Sequence, residues 1–542
     1  MKTRATQVLA LTTLSLLFSG NPNAFATYGD QAKAPMSSWE SSTPAKGVDH
    51  LVIMVFDQMR ADYIEQYNLQ NFKRLQKMSH NYPKAYVGHL GAQTVVSHLV
   101  IPTGLPPKYL PWQDDVTVDR DGAIGPANHA WNVGDLKHAK HEKLLAKIPR
   151  NQFLAQRVRD HFGGKVFSVG EKNYSSLIMG TTADAVINLE KDPSGKCVPS
   201  GVNPPDYITK NDRFTVDCTK SYGTGLSTLY SLDGSHYVPG DDPAHLGGDI
   251  WAADAALTVM KNEKNWSGLF MTFGAIDKVG HMLGEQEGRQ MLSVQTPYHL
   301  DNILRTADQQ LGRILDELQT ENLLNRTMII VTADRGGQAN DIYLGNNKTQ
   351  SLGTVDNEVT APPPYWMEHI DQVGKVLTAY ADTSVSIWVT DPADENNKKN
   401  ITNALSDIAC VQDIYSLQST GGDWKYVRTG SPQYKKNHWG KEHNEELVNT
   451  MAGPTAPELV ALLQNECGFG RRGGHGGAQE RSQRIPLIIS VPGTSSSTEW
   501  LPLRLMDISD IATRTLGLAP APLVKNWNPA AMKRAVASDK QK

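Results

Sequence analysis

The chain has 542 residues, of which 39% are hydrophobic and 20% charged, and its formal net charge is −4. This length accommodates one large domain with insertions or two to three domains, and the composition is that of an ordinary globular protein. The net charge is slightly negative and no broad basic stripe is present, so the chain lacks the usual signature of a nucleic-acid-binding protein.

The N-terminus has the pattern of a cleaved secretory signal. Lys2 and Arg4 form a positive region, residues 8–18 an apolar region, and residues 24–26 a small-x-small cleavage site. The apolar stretch is short for a membrane span, and no other stretch approaches about 18 consecutive apolar residues. We therefore expect residues 1–26 to be removed and the mature protein, without a membrane span, to be periplasmic or secreted.

The rest of the chain divides into one core with two interruptions. Residues 27–46 are polar and contain Pro and Ser, as expected of a linker, and residues 526–542 form a C-terminal tail. Between them we expect a single domain over residues 47–525. Residues 186–250 and 336–474 break its alternating pattern, and we expect both to be insertions that cap the site.

Five short apolar runs, rich in Val, Ile and Phe, predict buried strands of a parallel sheet. The runs are Leu51–Phe56, Lys165–Val169, Leu269–Phe273, Met328–Thr332 and Pro486–Val491. Helical patterns over Asp254–Met260 and Thr306–Leu318 precede the third and fourth runs. This alternation predicts an α/β fold with a mostly parallel central sheet flanked by helices.

Each run lies beside a residue that could bind a metal or an anion. In chain order these residues are Asp57, Glu171 and Lys172, Asp277 and His281, Asp334 and Arg335, and His475 shortly upstream of the last run. Because ligands of open α/β sheets bind beyond the carboxyl ends of the strands, one sheet edge should gather three aspartates and two histidines. That composition is typical of a metal site.

Asp277 and His281 are spaced for a shared metal ion. One helical turn separates them, so both side chains can reach a single cation. His475, flanked by glycines at 473–474 and 476–477, is a candidate third ligand, and the glycines would let the backbone approach the metal. Three such ligands leave an open position on a zinc ion, as catalytic zinc sites require.

Thr94 is a candidate nucleophile, and the reactivity of its hydroxyl depends on the residues around it. A threonine hydroxyl attacks slowly unless a base or a metal lowers its pKa. Asp57 and Asp334 could hold a second cation against it. Two ions about 3.5–4 Å apart would stabilise the attacking and leaving oxygens of a displacement at phosphorus.

The order of the motifs resembles the alkaline phosphatase superfamily, in particular its type I phosphodiesterase and nucleotide pyrophosphatase branch with a threonine nucleophile. The matching motifs are Val52–Arg60, Thr94-x-x-x-His98 with Thr103-Gly104, Asp277-x-x-Gly280-His281-x-x-Gly284, Val331–Asp334, and Gly474-His475-Gly476 before Arg484–Ile489. The resemblance covers roughly residues 47–340 and 470–525, with insertions between.

The resemblance implies a metal-dependent hydrolase that forms a phospho-threonine on a small-molecule phosphate ester. It implies that Thr94 is the nucleophile and that two zinc ions are bound. The first ion would be held by Asp277, His281 and His475, and the second would contact Asp57, Thr94 and Asp334. Lys172 would bind phosphate, although Tyr174 replaces the basic residue that accompanies such a lysine, and Asn128 would match a phosphate-contacting asparagine.

Arg335 departs from the pattern of the family, which has a metal-binding histidine there. Arginine stays protonated and has no lone pair for a metal, and its charge opposes a cation. The guanidinium could take over part of the role of the metal by gripping phosphoryl oxygens. Alternatively, Gln58 or a distant histidine completes the shell, or the second site is lost.

Two other functions remain open from the sequence. Arg484–Ile489 also resembles sulfatases, but those enzymes carry Cys or Ser in a C/S-x-P-x-R context, and none of the four cysteines lies in one. A degenerate member that binds a phosphorylated ligand without turnover is favoured only by Arg335.

The four cysteines are expected to be structural. Export favours disulfides, and four cysteines allow three pairings. Pairing Cys197 with Cys218, and Cys410 with Cys467, would keep each bridge within one predicted insertion.

Overall fold

The computed structural model describes residues 36–41, 43–215, 247–283, 295–340, 342–343, 370, 372–408, 410–420, 422–430, 441–469 and 473–524. The predicted signal peptide (1–26) and tail (526–542) lie outside these residues. The described end of the predicted linker is packed on the domain, because Ser37 Oγ and Trp39 Nε1 each lie 2.6 Å from the Tyr82 hydroxyl oxygen. No described helix has the length and apolarity that crossing a membrane requires.

The strands are β1 (His50–Phe56), β2 (His80–Asn81), β3 (Val116–Asp119), β4 (His129–Asn132), β5 (Lys165–Gly170), β6 (Ala185–Lys191), β7 (Cys197–Val202), β8 (Trp266–Phe273), β9 (Thr327–Thr332), β10 (Gln338–Ala339), β11 (Ile342–Tyr343), β12 (Val376–Ala381), β13 (Ser384–Val389), β14 (Val411–Thr420), β15 (Asp423–Gly430), β16 (Leu459–Leu463), β17 (Cys467–Gly468), β18 (Gly473–Gly474), β19 (Leu487–Ser490) and β20 (Ser497–Thr498).

The helices are α1 (Tyr63–Gln66), α2 (Gln70–Gln76), α3 (Thr94–Thr103), α4 (His138–Leu145), α5 (Leu154–Phe162), α6 (Asn173–Met179), α7 (Asp206–Thr209), α8 (Gly247–Asn262), α9 (Ala275–Leu283), α10 (Gln295–Thr320), α11 (Glu395–Ser406), α12 (Lys441–Asn449), α13 (Glu480–Gln483) and α14 (Asp507–Leu516). Short 3-10 turns lie at Pro107–Tyr109, Arg150–Gln152, Asp212–Phe214, Leu324–Arg326 and Pro522–Val524.

The central sheet has nine strands in the order β20-β2-β19-β9-β1-β8-β5-β6-β7. The five strands from β9 to β6 are mutually parallel, which confirms the predicted α/β class and four of the five apolar runs as parallel strands. Their side chains are almost all buried, as expected of parallel strands. The predicted helical stretches lie within α8 and α10.

The fifth apolar run was wrongly assigned as a parallel strand. β19 pairs antiparallel with β9, and Leu487 lies opposite Thr332. The start of β19 therefore lies at the edge where the parallel strands end. This direction explains why His475 precedes its strand whereas the other candidate residues follow theirs.

The segment predicted as the second insertion contains a separate antiparallel sheet, in the order β12-β13-β16-β14-β15. Alternate residues of β16 face opposite sides of it. Leu459 and Ala461 pack in a cluster with Ile401 of α11, whereas Val460 and Leu462 pack with Leu90 of the main domain. The inserted sheet is thus fixed to the main domain by one apolar face.

The predicted disulfide between Cys410 and Cys467 is confirmed, and it joins the residue before β14 of the inserted sheet to β17. Cys218, the predicted partner of Cys197, lies outside the described residues. The first predicted insertion (186–250) overlaps β6 and β7, which the structure places at one edge of the central sheet.

Candidate active site

The carboxyl ends of the parallel strands bring the predicted residues to one place. Asp57 follows β1, and its backbone N–H donates to Phe273 O, at the end of β8, at 2.8 Å. Gln58 adopts a left-handed conformation (φ 62°), and its backbone N–H donates to Asp334 Oδ1 at 3.1 Å. Strand ends that are joined in this way hold the aspartates at fixed positions.

Asp277, His281 and His475 form what we call the histidine side of the site. Helix α9 places Asp277 and His281 one turn apart, with His281 Nε2 3.1 Å from Asp277 Oδ1. His475 Nε2 lies 3.0 Å from His281 Nε2 and 3.5 Å from Asp277 Oδ1. All three residues are buried, and their potential ligand atoms lie within 4.8 Å of one another.

The histidine side fits a metal ion. His281 Nδ1 lies 3.0 Å from the Gly473 carbonyl oxygen. Because a carbonyl can only accept, Nδ1 carries a proton and Nε2 is the nitrogen that is placed to bind a metal. Burial and the positive charge of Arg335 hold the pKa of His475 well below its usual range, so this imidazole is neutral. Two imidazole nitrogens and a carboxylate that converge in this way are the donor set of a zinc site.

Asp57, Thr94, Asp334 and Arg335 form the arginine side. The guanidinium of Arg335 is buried, with only 1% of the residue exposed. Its Nη1 donates to Thr94 Oγ1 at 2.6 Å and to Asp334 Oδ2. Its Nη2 donates to Asp277 Oδ1 at 2.6 Å and lies 2.8 Å from Asp57 Oδ1. Burial opposes this charge, but the surrounding aspartates outweigh it and raise the pKa of Arg335 well above its usual value.

The residues expected to bind a second zinc ion do not fit one. The guanidinium already contacts the oxygens of Asp57, Thr94 and Asp334, and its charge would repel a divalent ion among them. Gln58 holds Asp334 through its backbone N–H. Within the described part of the chain one cluster has the donor set of a metal site, and the expectation of a second ion stays a prediction.

Lys172 joins the two sides. Its Nζ donates to Asp57 Oδ2 at 2.7 Å and to Asp277 Oδ2 at 2.6 Å. Burial opposes ionisation of Asp277, but Lys172, His281 and Arg335 together hold its pKa well below the usual range. Burial raises the pKa of Asp334 well above its usual value, although Arg335 opposes this shift. The positive charges of Lys172 and Arg335 are therefore matched by the aspartates around them before any metal binds.

Thr94 is the first residue of α3 and is 6% exposed. Its hydroxyl accepts from Arg335 Nη1 and can donate to Asp57 Oδ2 at 3.4 Å. One turn later, His98 Nδ1 lies 2.9 Å from the Thr94 carbonyl oxygen, and burial lowers the pKa of His98 to about 4. A neutral His98 therefore donates to this carbonyl and fixes the start of the helix.

Asn128 does not join this cluster. It lies exposed in the β3–β4 turn (φ 56°), and its side-chain oxygen accepts from Arg120 Nη1 at 3.4 Å. Sequence reasoning missed Asp115, whose charge helps to raise the pKa of Arg335 and whose Oδ2 accepts from the Tyr380 hydroxyl at 3.1 Å. Asp115 belongs to no motif, and only the fold brings it near Arg335.

Comparison with known proteins places the chain in a family. Residues 51–469 match the type I phosphodiesterase / nucleotide pyrophosphatase family, so the chain belongs to it. No curated protein sequence matches significantly. The family is metal-dependent, and this chain is a hydrolase of phosphoric esters.

Two solved structures share the fold. Wild-type alkaline phosphatase PafA has a TM-score of 0.60 at 13% identity, over 88% of this chain and 97% of that chain. Murine ectonucleotide pyrophosphatase/phosphodiesterase 5 has a TM-score of 0.51 at 11% identity, over 90% of this chain and 99% of that chain. A further structure of the murine protein is an inactive variant in complex with AMP.

Proposed function

We propose that this member of the type I phosphodiesterase / nucleotide pyrophosphatase family is an exported hydrolase of small phosphate esters that acts through a phosphorylated Thr94. One divalent ion, most simply zinc, is held by Asp277, His281 and His475. Arg335 stands in the position of the second ion. The observation that carries the proposal is the contact of Arg335 Nη1 with Thr94 Oγ1 at 2.6 Å, beside the histidine side.

The surroundings of Thr94 support its role as nucleophile. A guanidinium donor at the hydroxyl oxygen stabilises the negative charge that develops when the proton leaves. The Asp57 carboxylate, 3.4 Å away, is placed to accept that proton. The position at the N-terminus of α3 adds the partial positive charge of the helix end.

The reaction then proceeds in two displacements. Thr94 Oγ1 attacks phosphorus, the bond from phosphorus to the ester oxygen breaks, and the threonine proton passes through Asp57 to the departing oxygen. Water next attacks the phosphothreonine and breaks the bond between phosphorus and Oγ1. The hydroxyl of the water remains on phosphate, and its other proton returns to Oγ1.

Charge explains why one divalent ion suffices. Without metal, the aspartates around Lys172 and Arg335 match their positive charges, so the cluster attracts a phosphate ester only weakly. A bound divalent ion would make the cluster net positive and would act as a Lewis acid on the phosphoryl oxygens. Lys172 and Arg335 contribute the remaining positive charge, and Arg335 can donate to phosphoryl oxygens from a planar fork.

The domain organisation completes the proposal. Residues 1–26 direct export, residues 27–46 lead into the catalytic domain of 47–525, and the inserted segments 186–250 and 336–474 shape access to the site. Asn128, exposed and paired with Arg120, is a weaker candidate for substrate binding than Lys172 or Arg335.

The test is a substrate screen of the purified protein with metal analysis. We expect hydrolysis of an aryl phosphate mono- or diester that a chelator abolishes and zinc restores, no hydrolysis of an aryl sulfate, and a phosphothreonine at residue 94 after acid quench. Faster turnover of the sulfate would favour a sulfatase. Tight binding of phosphate esters by metal-loaded protein without turnover would identify a degenerate, non-catalytic member.

A further inference from the structure

The turn between β12 and β13 reaches from the inserted sheet to the loop that carries His475. Thr383 Oγ1 lies 2.7 Å from the carbonyl oxygen of His475 and 2.6 Å from that of Gly476. In return, Gln479 Nε2 donates to the Thr383 carbonyl at 2.5 Å. The loop and the turn are therefore held together from both directions.

Asp382 occupies the other position of this turn and is 6% exposed. Its backbone is fixed, because its N–H donates to Ser384 O at 3.0 Å and its carbonyl accepts from Phe469 N at 2.9 Å. Its carboxylate faces His475: Oδ2 accepts the His475 backbone N–H at 3.4 Å and lies 4.0 Å from His475 Nδ1.

The glycines beside His475 make room for this turn. A Cβ at Gly474 would lie 2.3 Å from Asp382 Oδ1, and a Cβ at Gly477 would lie 2.7 Å from the Thr383 carbonyl oxygen. Gly477 also has a φ of +64°, which an L side chain rarely adopts. The sequence reasoning assigned these glycines to an approach of the backbone to metal, whereas the structure assigns two of them to the approach of the inserted sheet.

The two histidines of the site differ in the hydrogen bonding of Nδ1, the ring nitrogen that faces away from the metal position. His281 Nδ1 donates to Gly473 O at 3.0 Å. His475 Nδ1 is buried and forms no hydrogen bond among the described residues, with Asp382 Oδ2 4.0 Å away. A histidine that binds a metal ion normally donates this second N–H to a carboxylate or a carbonyl, which fixes the tautomer and the ring orientation.

We propose that Asp382, supported by Thr383, is the positioning residue for His475 as a metal ligand, so that the inserted sheet completes the metal centre of the main domain. The inference rests on the proposed function, since it takes Asp277, His281 and His475 as the metal site. Asp382 touches neither substrate nor metal in this role and acts only through His475.

The experiment measures zinc affinity by competition with a chromogenic chelator, in full-length mature protein. Asp382→Ala should weaken zinc binding about 10- to 100-fold, and Asp382→Asn should weaken it less because the amide oxygen can still accept. At saturating zinc, kcat of Asp382→Asn should return to within a few-fold of wild type. The control is Asp413→Asn, equally buried in the inserted sheet and ion-paired with Arg428, which should bind zinc like wild type.

Two further variants, Thr383→Val and His475→Ala, distinguish a folding defect, failure of this inference and failure of the proposed function. If Asp382→Ala does not fold, Thr383→Val should still weaken zinc binding several-fold, because it releases the carbonyls of His475 and Gly476. Zinc affinities of folded Asp382→Ala and Thr383→Val within two-fold of wild type would overturn the inference. Failure of the proposed function looks different: wild type and His475→Ala would then bind zinc equally, whatever the state of Asp382.

Discussion

The histidine side and the arginine side differ in how positive charge is brought to buried carboxylates at one sheet edge. On the histidine side, Nε2 of His281 and Nε2 of His475 converge beside Asp277, where they are placed to bind a cation from solution. On the arginine side, Arg335 places a positive charge from within the chain between Asp57 and Asp334. We propose that Arg335 is the cation that serves the second half of the site.

A pair of metal ions would supply positive charge both beside Thr94 and on the histidine side. Here the two charges have different sources. The charge that stabilises the Thr94 oxygen comes from a guanidinium that cannot be removed by chelation. The charge on the histidine side depends on metal supply and on neutral imidazoles. Variants on the two sides should therefore respond differently to added metal.

The largest expected effect comes from removal of the nucleophile. Thr94→Ala should reduce turnover by on the order of 10³-fold or more, with zinc content unchanged, because no other hydroxyl contacts Arg335 and Asp57 within the described residues. Thr94→Ser is the matched control and should keep part of the activity and form phosphoserine. Substantial turnover by Thr94→Ala would assign the attack to a metal-bound water or to Ser97.

Loss of a ligand on the histidine side should abolish metal-dependent activity. Ala substitutions of Asp277, His281 and His475 should each lower zinc content by a similar amount, since each opens the same shell. Excess zinc should partly rescue them. His141→Asn, which alters a buried histidine bonded to Val133 O, should retain full zinc content. Unchanged zinc in His475→Ala would mean that the third ligand lies elsewhere.

Arg335→Ala should cost about 2–4 kcal/mol of transition-state stabilisation, the scale for loss of a preorganised oxyanion partner. It should also destabilise the fold by about 3–5 kcal/mol, because buried aspartates lose their partner. Arg157→Ala removes another buried arginine, bonded to Thr513 and Ser509 away from the site, and should affect stability without a comparable loss of kcat. Equal rates in Arg335→Ala and wild type would place the guanidinium outside the reaction.

The smallest effect on activity is expected from the disulfide. Replacement of Cys410 and Cys467 by alanine should lower the free energy of unfolding of the inserted sheet by about 2–4 kcal/mol, since the bridge closes a loop of 57 residues. At 25 °C kcat should stay near that of wild type, because Asp382 and Thr383 contact the site through β12 and β13 instead. Mass spectrometry of the native chain without reductant checks the oxidised state. Recovery of free thiols at 410 and 467 would contradict the assignment.

The sequence was sufficient for features that depend on local pattern. Apolar runs predicted the parallel strands, and the spacing of Asp277 and His281 predicted the helix that presents them. Pattern alone could not give the direction of β19, because a short buried strand reads the same in either direction. The position of His475 before its strand was the one available signal.

Features that depend on long-range packing could not be predicted. Asp115 acts on Arg335 through its charge, and Asp382 contacts the backbone of His475. Both lie far from these residues in the chain, and neither belongs to a motif. The predicted role of Asn128 rested on spacing within a loop whose path only the fold determines. The replacement of a histidine by Arg335 was visible in the sequence, but its contacts with Thr94 and the aspartates required coordinates.

The number of metal ions per chain tests the central claim most directly. Native mass spectrometry and elemental analysis of zinc-loaded protein should give one ion per chain for wild type, because Arg335 fills the second position. Arg335→His, which restores a ligand beside Asp57 and Asp334, should give two. Two ions bound tightly by the wild-type protein, with Arg335 in place, would contradict this account.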